Sequence, residues 1–148
     1  MVDQVCNSMR LEFLSQPENI GLARIAVAAF AAQIDMTLDE LEEIKVAISE
    51  AVTNAIVHGY QGQPDALVRI EATRYVDRLV FVVQDFGKGM PQTHGQDLDS
   101  GHLGLGFMFM KSFMDHVEVD SREGEGTTVR LIKRLNHAGL GMQVAQES

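Results

Sequence analysis

At 148 residues the chain has the length of a single domain, enough to bury roughly two-thirds of the surface its unfolded form exposes. Hydrophobic residues make up 45% and charged residues 22%, ordinary for a folded protein; no apolar run approaches the ~20 residues that span a bilayer, and the opening MVDQVCNSMR has no apolar signal core. A net charge of −9 repels phosphate backbones, so direct nucleic-acid binding is not expected, while a basic protein partner is compatible.

The lone cysteine, Cys6, can form no internal disulfide and offers no metal spacing, which fits a cytoplasmic protein without membrane contact. No repeat or linker divides the chain, so one domain over 1–148 is expected, with an ordered core over about 9–135 and a loose tail over 136–148. Met9 to Leu14 alternates apolar and polar residues and predicts a strand. Pro17 opens a helix whose Ile20, Ala23, Val27, Phe30 and Ile34 recur at helical spacing. Thr37, with Glu40 three residues later, makes a capping-box start for a second helix, expected to run from Leu38 to His58 and to stop at Gly59. After the turn GQPDA, the stretches ALVRIEATRYV and RLVFVVQDF read as two strands joined through Asp77. The chain from Gly87 to Gly106 is rich in glycine, and a third helix is expected from near Leu105 across FMFMKSFM. HVEVDS and TTVRLIKRL follow as strands joined by the turn REGEG. The order β-α-α-β-β-α-β-β predicts an α+β two-layer sandwich, with helices on one face of a mixed, mostly antiparallel sheet.

Four stretches carry candidate chemistry. In SEAVTNAIVHGY, Glu50, Asn54 and His58 follow one another at intervals of four and share a helix face, beside an apolar stripe of Ile44, Ile48, Ala51 and Ala55 that must meet the sheet. The trio is either a solvated boundary or the edge of a crevice. In DFGKGMP, Asp85 ends an apolar strand, and Gly87 and Gly89, with Met90 after them, allow close approach of backbone to a ligand. An ionised carboxylate accepts the exocyclic amine of adenine and repels the guanine carbonyl, although Asp and Gly also make plain turns. In GHLGLGF, the amides of Gly101, Gly104 and Gly106 near a helix start can cradle an anion such as a di- or triphosphate. This G-x-x-G-x-G order is neither the dinucleotide fingerprint nor a Walker loop. In GEGTT, Thr127 begins the last strand, where its hydroxyl can reach a base directly or through water.

Together, E-x-x-x-N-x-x-x-H, D-x-G-x-G, G-x-x-G-x-G and G-T-T resemble the ATP-binding (Bergerat-type) superfamily of gyrase, heat-shock chaperones, histidine kinases and mismatch-repair proteins. Within it, SEAVTNAIVHGY, LGLGF, SFMDHVEV and ARIAVAAFAAQI make the chain most similar, over about residues 9 to 135, to the small anti-sigma factors that are also serine kinases, especially the sporulation anti-sigma F factors. The resemblance implies that Asn54 ligates Mg²⁺ and touches the phosphates. It implies that Glu50 is the general base that takes the proton from an attacking serine, and that Asp85 binds the adenine amine with Gly89 and Thr127 nearby. Gly104 and Gly106, with the flanking amides of Leu103, Leu105 and Phe107, would wrap the phosphates of ATP or ADP; His58 borders the same site. It further implies a cytoplasmic homodimer that holds a sigma factor inactive and phosphorylates a serine of an anti-anti-sigma protein. Arg24, with Glu18 and Asn19 on the same surface, is the candidate contact for these partners.

The chain departs from that pattern between Pro91 and Gly104, a short segment with no Lys or Arg. Mg²⁺, backbone amides and Lys88, His102 or Lys111 are then left to offset charge during phosphoryl transfer. Two rival expectations remain: a nucleotide-gated sigma-binding protein with little or no kinase activity, and the catalytic domain of a histidine kinase. The second is disfavoured because the 34 residues before the capping box do not accommodate a dimerisation helix as well as the first strand and helix.

Overall fold

The computed structural model describes residues 3–87 and 104–135. In chain order these form β1 (Val5–Leu14), α1 (Asn19–Ala31), α2 (Leu38–Asn54) with a π-helical turn (Ala55–Gly59), β2 (Leu67–Tyr75), β3 (Arg78–Asp85), α3 (Gly104–Phe113), β4 (His116–Arg122) and β5 (Gly126–Arg134). The five strands make one sheet in the order β1-β2-β3-β5-β4. All four pairings are antiparallel, so the parallel component of the expected mixed sheet is absent among the described strands. β1 starts at Val5 rather than Met9, because Val5 to Ser8 extend its ladder with β2 around a bulge.

Period-two patterning explains the layers. Val68, Ile70 and Ala72 of β2, Leu79, Phe81 and Val83 of β3, and Val129 and Leu131 of β5 are all buried on one face. Ala23, Val27, Phe30 and Ala31 of α1 and Ile44, Ala47, Ile48, Ala51 and Val52 of α2 close over that face. Phe107, Met110 and Met114 complete the core from α3 and its C-terminal end.

α2 begins as the sequence predicts. Thr37 Oγ1 accepts from the Glu40 amide at 3.0 Å and Glu40 Oε1 accepts from the Thr37 amide at 2.9 Å, a closed capping box. Removing the hydroxyl in Thr37→Ala orphans one end of this pair. It is expected to lower stability by ~1 kcal/mol, read as a lower urea midpoint with an unchanged slope. The end of α2 differs from expectation. The α-helix stops at Asn54, and the Tyr60 amide donates to the Ala55 carbonyl five residues back. This wider turn rotates His58 away from the angle that continuous α-helix would give it, and such turns concentrate at functional sites.

The buried face of the sheet carries two charged residues, Lys133 and Asp85, near opposite ends of the β3–β5 ladder. Lys133 is answered: its Nζ lies 2.6 Å from Glu43 Oε1 and 2.7 Å from the carbonyl of Phe113, the last residue of α3. The contact ties α2, α3 and β5 together and satisfies a helix-end carbonyl. Asp85 meets no cation among the described residues.

Candidate functional site

Asp85 is the last residue of β3, 4% exposed, and stands opposite Val68 of β2 and Thr127 of β5. Its Oδ1 accepts the Gly87 amide at 3.1 Å. Burial pushes its carboxyl above the usual carboxylate range, an effect only partly opposed by backbone hydrogen bonds from Gly87 and Thr127. Three glycines make room for it. A Cβ on Gly59 would lie 2.6 Å from Asp85 Oδ2, one on Gly87 would overlap the Gly59 carbonyl, and one on Gly126 would overlap the Asp85 carbonyl. Gly126 also has φ +98°, so glycine is required there twice over.

The carboxylate faces a crevice between the C-terminal end of α2 and the sheet. Ala51, Asn54, Ala55, His58 and Gly59 line one side; Val83, Asp85, Val119, Thr127 and Val129 line the other, and Met110 of α3 closes one end. The enclosed space is about 20 Å³, room for one water rather than for a base. Asn54 Nδ2 is buried here without a hydrogen-bond partner. An unpaired amide in a folded protein is the exception, and this one lies in the same crevice as a buried carboxylate that has no cation to offset its charge among the described residues. Thr127 Oγ1 is 2.9 Å from Ser121 Oγ across the β4–β5 pair.

Glu50 lies one turn before Asn54 but lines a different space. A Cβ on Gly106 would come within 2.5 Å of Glu50 Oε2, so the carboxylate rests against the first turn of α3. Its other side opens on a groove of about 390 Å³ bordered by Arg24, Glu42, Lys45, Val46 and Ser49. The structure thus brings Arg24 and Glu50 to one groove, with Arg24 Nη1 3.5 Å from Ser49 Oγ.

The remaining sequence candidates separate. Gly104, Leu105, Gly106 and Phe107 form the first turn of α3. The Leu105 side chain is exposed and that of Phe107 is in the core under Lys111, 5.5 Å from its ring, so neither side chain enters the crevice. Gly89, Met90, Gly101 and Leu103 lie outside the described residues, as do Lys88, His102 and the tail after Leu135. The local sequence marks Gly59 only as a helix stop and carries no sign of a role for Gly126, Met110 or Tyr60. The glycine contacts depend on pairing between distant segments, which no local pattern reports.

The sheet, the two flanking helices and the crevice at the end of α2 define a class, and the family model "Histidine kinase-like ATPase domain" matches residues 13–133. Solved structures of the same architecture include the RsbU and RsbW domains of Rv1364c from Mycobacterium tuberculosis, with TM-score 0.66 and 21% identity over 87% of this chain and 32% of that one. A histidine kinase domain from Erythrobacter litoralis aligns with TM-score 0.62 and 18% identity over 84% of this chain and 63% of that one. These likenesses establish the fold; the class, an ATPase domain, implies nucleotide binding. The anti-sigma F factor of Clostridium beijerinckii is 45% identical over 137 residues, 88% of this chain and 96% of that protein. That of Anoxybacillus flavithermus is 44% identical over 138 residues, 87% of this chain and 93% of that protein. The chain belongs to the anti-sigma F factor family.

Proposed function

We propose that the chain is an anti-sigma factor that binds Mg-ATP in the crevice at the end of α2, sequesters a sigma factor, and phosphorylates a serine of the antagonist that would release it. The observation that carries the nucleotide part is the pairing, in one crevice, of the uncompensated carboxylate of Asp85 with the unpartnered amide of Asn54. Asp85 accepts the adenine amine, with Gly87, Gly89 and Thr127 beside the base. Asn54 would hold Mg²⁺ through its carbonyl oxygen, an amide oxygen suiting a hard cation, while its unpartnered Nδ2 would donate to a phosphate oxygen. Bound Mg²⁺ supplies charge neutralisation between phosphates. The first turn of α3, from Gly104 to Phe107, presents its amides to the phosphates, and His58 borders them. Because the crevice holds only about 20 Å³ and Met110 closes one end, entry of a base requires the Met110 side chain to move.

For transfer, the antagonist docks over the Arg24 groove, which brings its serine hydroxyl to Glu50. Glu50 accepts the hydroxyl proton as the oxygen attacks the terminal phosphoryl group, and ADP leaves. The same surface, with Glu18 and Asn19, offers Arg24 to the sigma factor in a homodimeric assembly.

A second reading, nucleotide-gated sigma binding without transfer, is favoured by one feature: the absence of Lys and Arg between Pro91 and Gly104. The two readings part on the antagonist's intact mass after incubation with the chain and Mg-ATP. A gain of one phosphate, mapped to a serine, is the expected result. ATP binding with no gain in mass overturns the kinase and leaves the gated clamp.

A further inference from the structure

Tyr60 follows the π-helical turn and is buried, 8% exposed. Its hydroxyl makes two hydrogen bonds: it donates to the Leu67 carbonyl at 2.5 Å and accepts from the Phe86 amide at 2.6 Å. These two partners are not arbitrary. β2 and β3 pair as Ile70 with Val83 and Val68 with Asp85, so the next rung of the ladder would place Leu67 opposite Phe86. The β1–β2 pairing supports the same geometry. The Ser15 amide reaches the Ala66 carbonyl at 2.7 Å, so Ala66 points its polar groups to β1, and alternation turns those of Leu67 toward β3. A direct Phe86-to-Leu67 bond is what an uninterrupted ladder would contain. The phenolic oxygen stands in its place.

A hydroxyl inserted into a rung satisfies both backbone groups while holding the strands apart by the width of an oxygen. The ladder ends at Asp85, and the chain turns away from β2 toward the end of α2. There it meets Gly59, against whose backbone Gly87 packs, with the Tyr60 ring 2.9 Å from where a Gly87 Cβ would be. The far end of the same loop is fastened by a second hydroxyl. Ser15 Oγ, fully buried, donates to the Gln63 carbonyl at 2.5 Å and accepts the Ala66 amide at 3.1 Å. The loop from Tyr60 to Ala66 is thus tied at both ends by a hydroxyl.

We propose that Tyr60 is a positioning residue for base recognition: its hydroxyl, wedged into the β2–β3 ladder between Leu67 and Phe86, sets the place of the Asp85 carboxylate and thereby the preference for adenine over guanine. This inference rests on the nucleotide-binding reading of Asp85. Without the wedge, Phe86 and Leu67 either close the rung directly, which draws Asp85 toward β2, or remain unpaired and let the segment drift. Both outcomes move an acceptor that must meet one amine, and sub-ångström placement governs such contacts.

The test is Tyr60→Phe, which keeps the ring and deletes the wedge, titrated with Mg-ATP and with Mg-GTP. ATP affinity is expected to fall about tenfold and the ATP:GTP preference to shrink with it. In an Asp85→Asn background the same change is expected to add less than about twofold, because a positioning effect has no carboxylate left to act through. A purely structural role would leave selectivity intact and add independently. Unchanged affinity and selectivity, or additive losses, overturn the inference while ATP binding to the unsubstituted chain still stands. Absence of ATP binding to the unsubstituted chain overturns the nucleotide reading and this inference together. Where Tyr60→Phe does not fold, hydrogen exchange in the unsubstituted chain decides. Linkage requires ATP to slow exchange of the Phe86 amide about tenfold more than that of Leu79 at the far end of β3, and equal slowing overturns the wedge.

Discussion

Glu50→Gln is expected to abolish phosphorylation of the antagonist while leaving nucleotide affinity within about twofold, the range of a substitution that touches no ligand. The first half follows from chemistry. A neutral amide does not accept the serine proton, and loss of a positioned base lowers a transfer rate by ~10²–10⁴-fold. The second half follows from position. Glu50 does not line the crevice that holds Asp85, Asn54 and Thr127; it lies between the first turn of α3 and the Arg24 groove. Glutamine fills the same space against Gly106, so α3 keeps its seat. Single-turnover transfer and a calorimetric titration of Mg-ATP measure the two quantities separately. Transfer at the unsubstituted rate means that another group takes the proton. A large rise in Kd means that Glu50 serves binding rather than chemistry.

The elements that were readable from sequence share one property: their determinants are local. The Thr37–Glu40 box spans four residues and closes as predicted, and alternation in LVRIEATRY assigns the buried positions Val68, Ile70 and Ala72 of β2, while β3 is apolar on both faces with Val80 buried between Leu79 and Phe81. The end of α2 was not readable, because five residues cannot distinguish a period of 3.6 from the wider π turn. The hydrophobic pattern of Ala55 and Ile56 suits either. Asp85 stood out as a strand-ending acid, yet its burial came only with the fold. That burial depends on Gly59, 26 residues earlier, and on Gly126, 41 residues later. Tyr60 gave no signal at all, since its partners are defined by strand register. The G-x-G of α3 suggested phosphate amides, while its contact with Glu50 emerged only when α2 and α3 were packed together.

Asp85→Asn is expected to separate what Asp85 does for function from what it does to stability. Binding loses a charge-assisted hydrogen bond to the adenine amine, about 1.5–3 kcal/mol, so ATP affinity falls roughly ten- to a hundredfold. An amide also offers a donor to the guanine carbonyl, so the ATP:GTP preference collapses further than affinity alone requires. Stability moves the other way with pH. Burial raises the folded-state pKa of Asp85 above the ordinary carboxylate value of ~3.9, so between those two values the folded chain binds more proton than the unfolded one. The group's contribution to the unfolding free energy is therefore greatest below the unfolded pKa and declines as pH rises through the raised one. Over the same interval ionisation strengthens the hydrogen bond to adenine, so affinity rises while stability falls. Subtracting the Asp85→Asn profile from the unsubstituted one, in urea titrations of nucleotide-free protein from pH 4 upward, isolates this residue from the other carboxylates. A difference that decreases with pH is the expected sign. A difference that increases with pH requires the ionised carboxylate to be stabilised in the empty fold, with the hydrogen bonds from the Gly87 and Thr127 amides outweighing burial. In that event the uncompensated charge on which the nucleotide assignment rests would be lost.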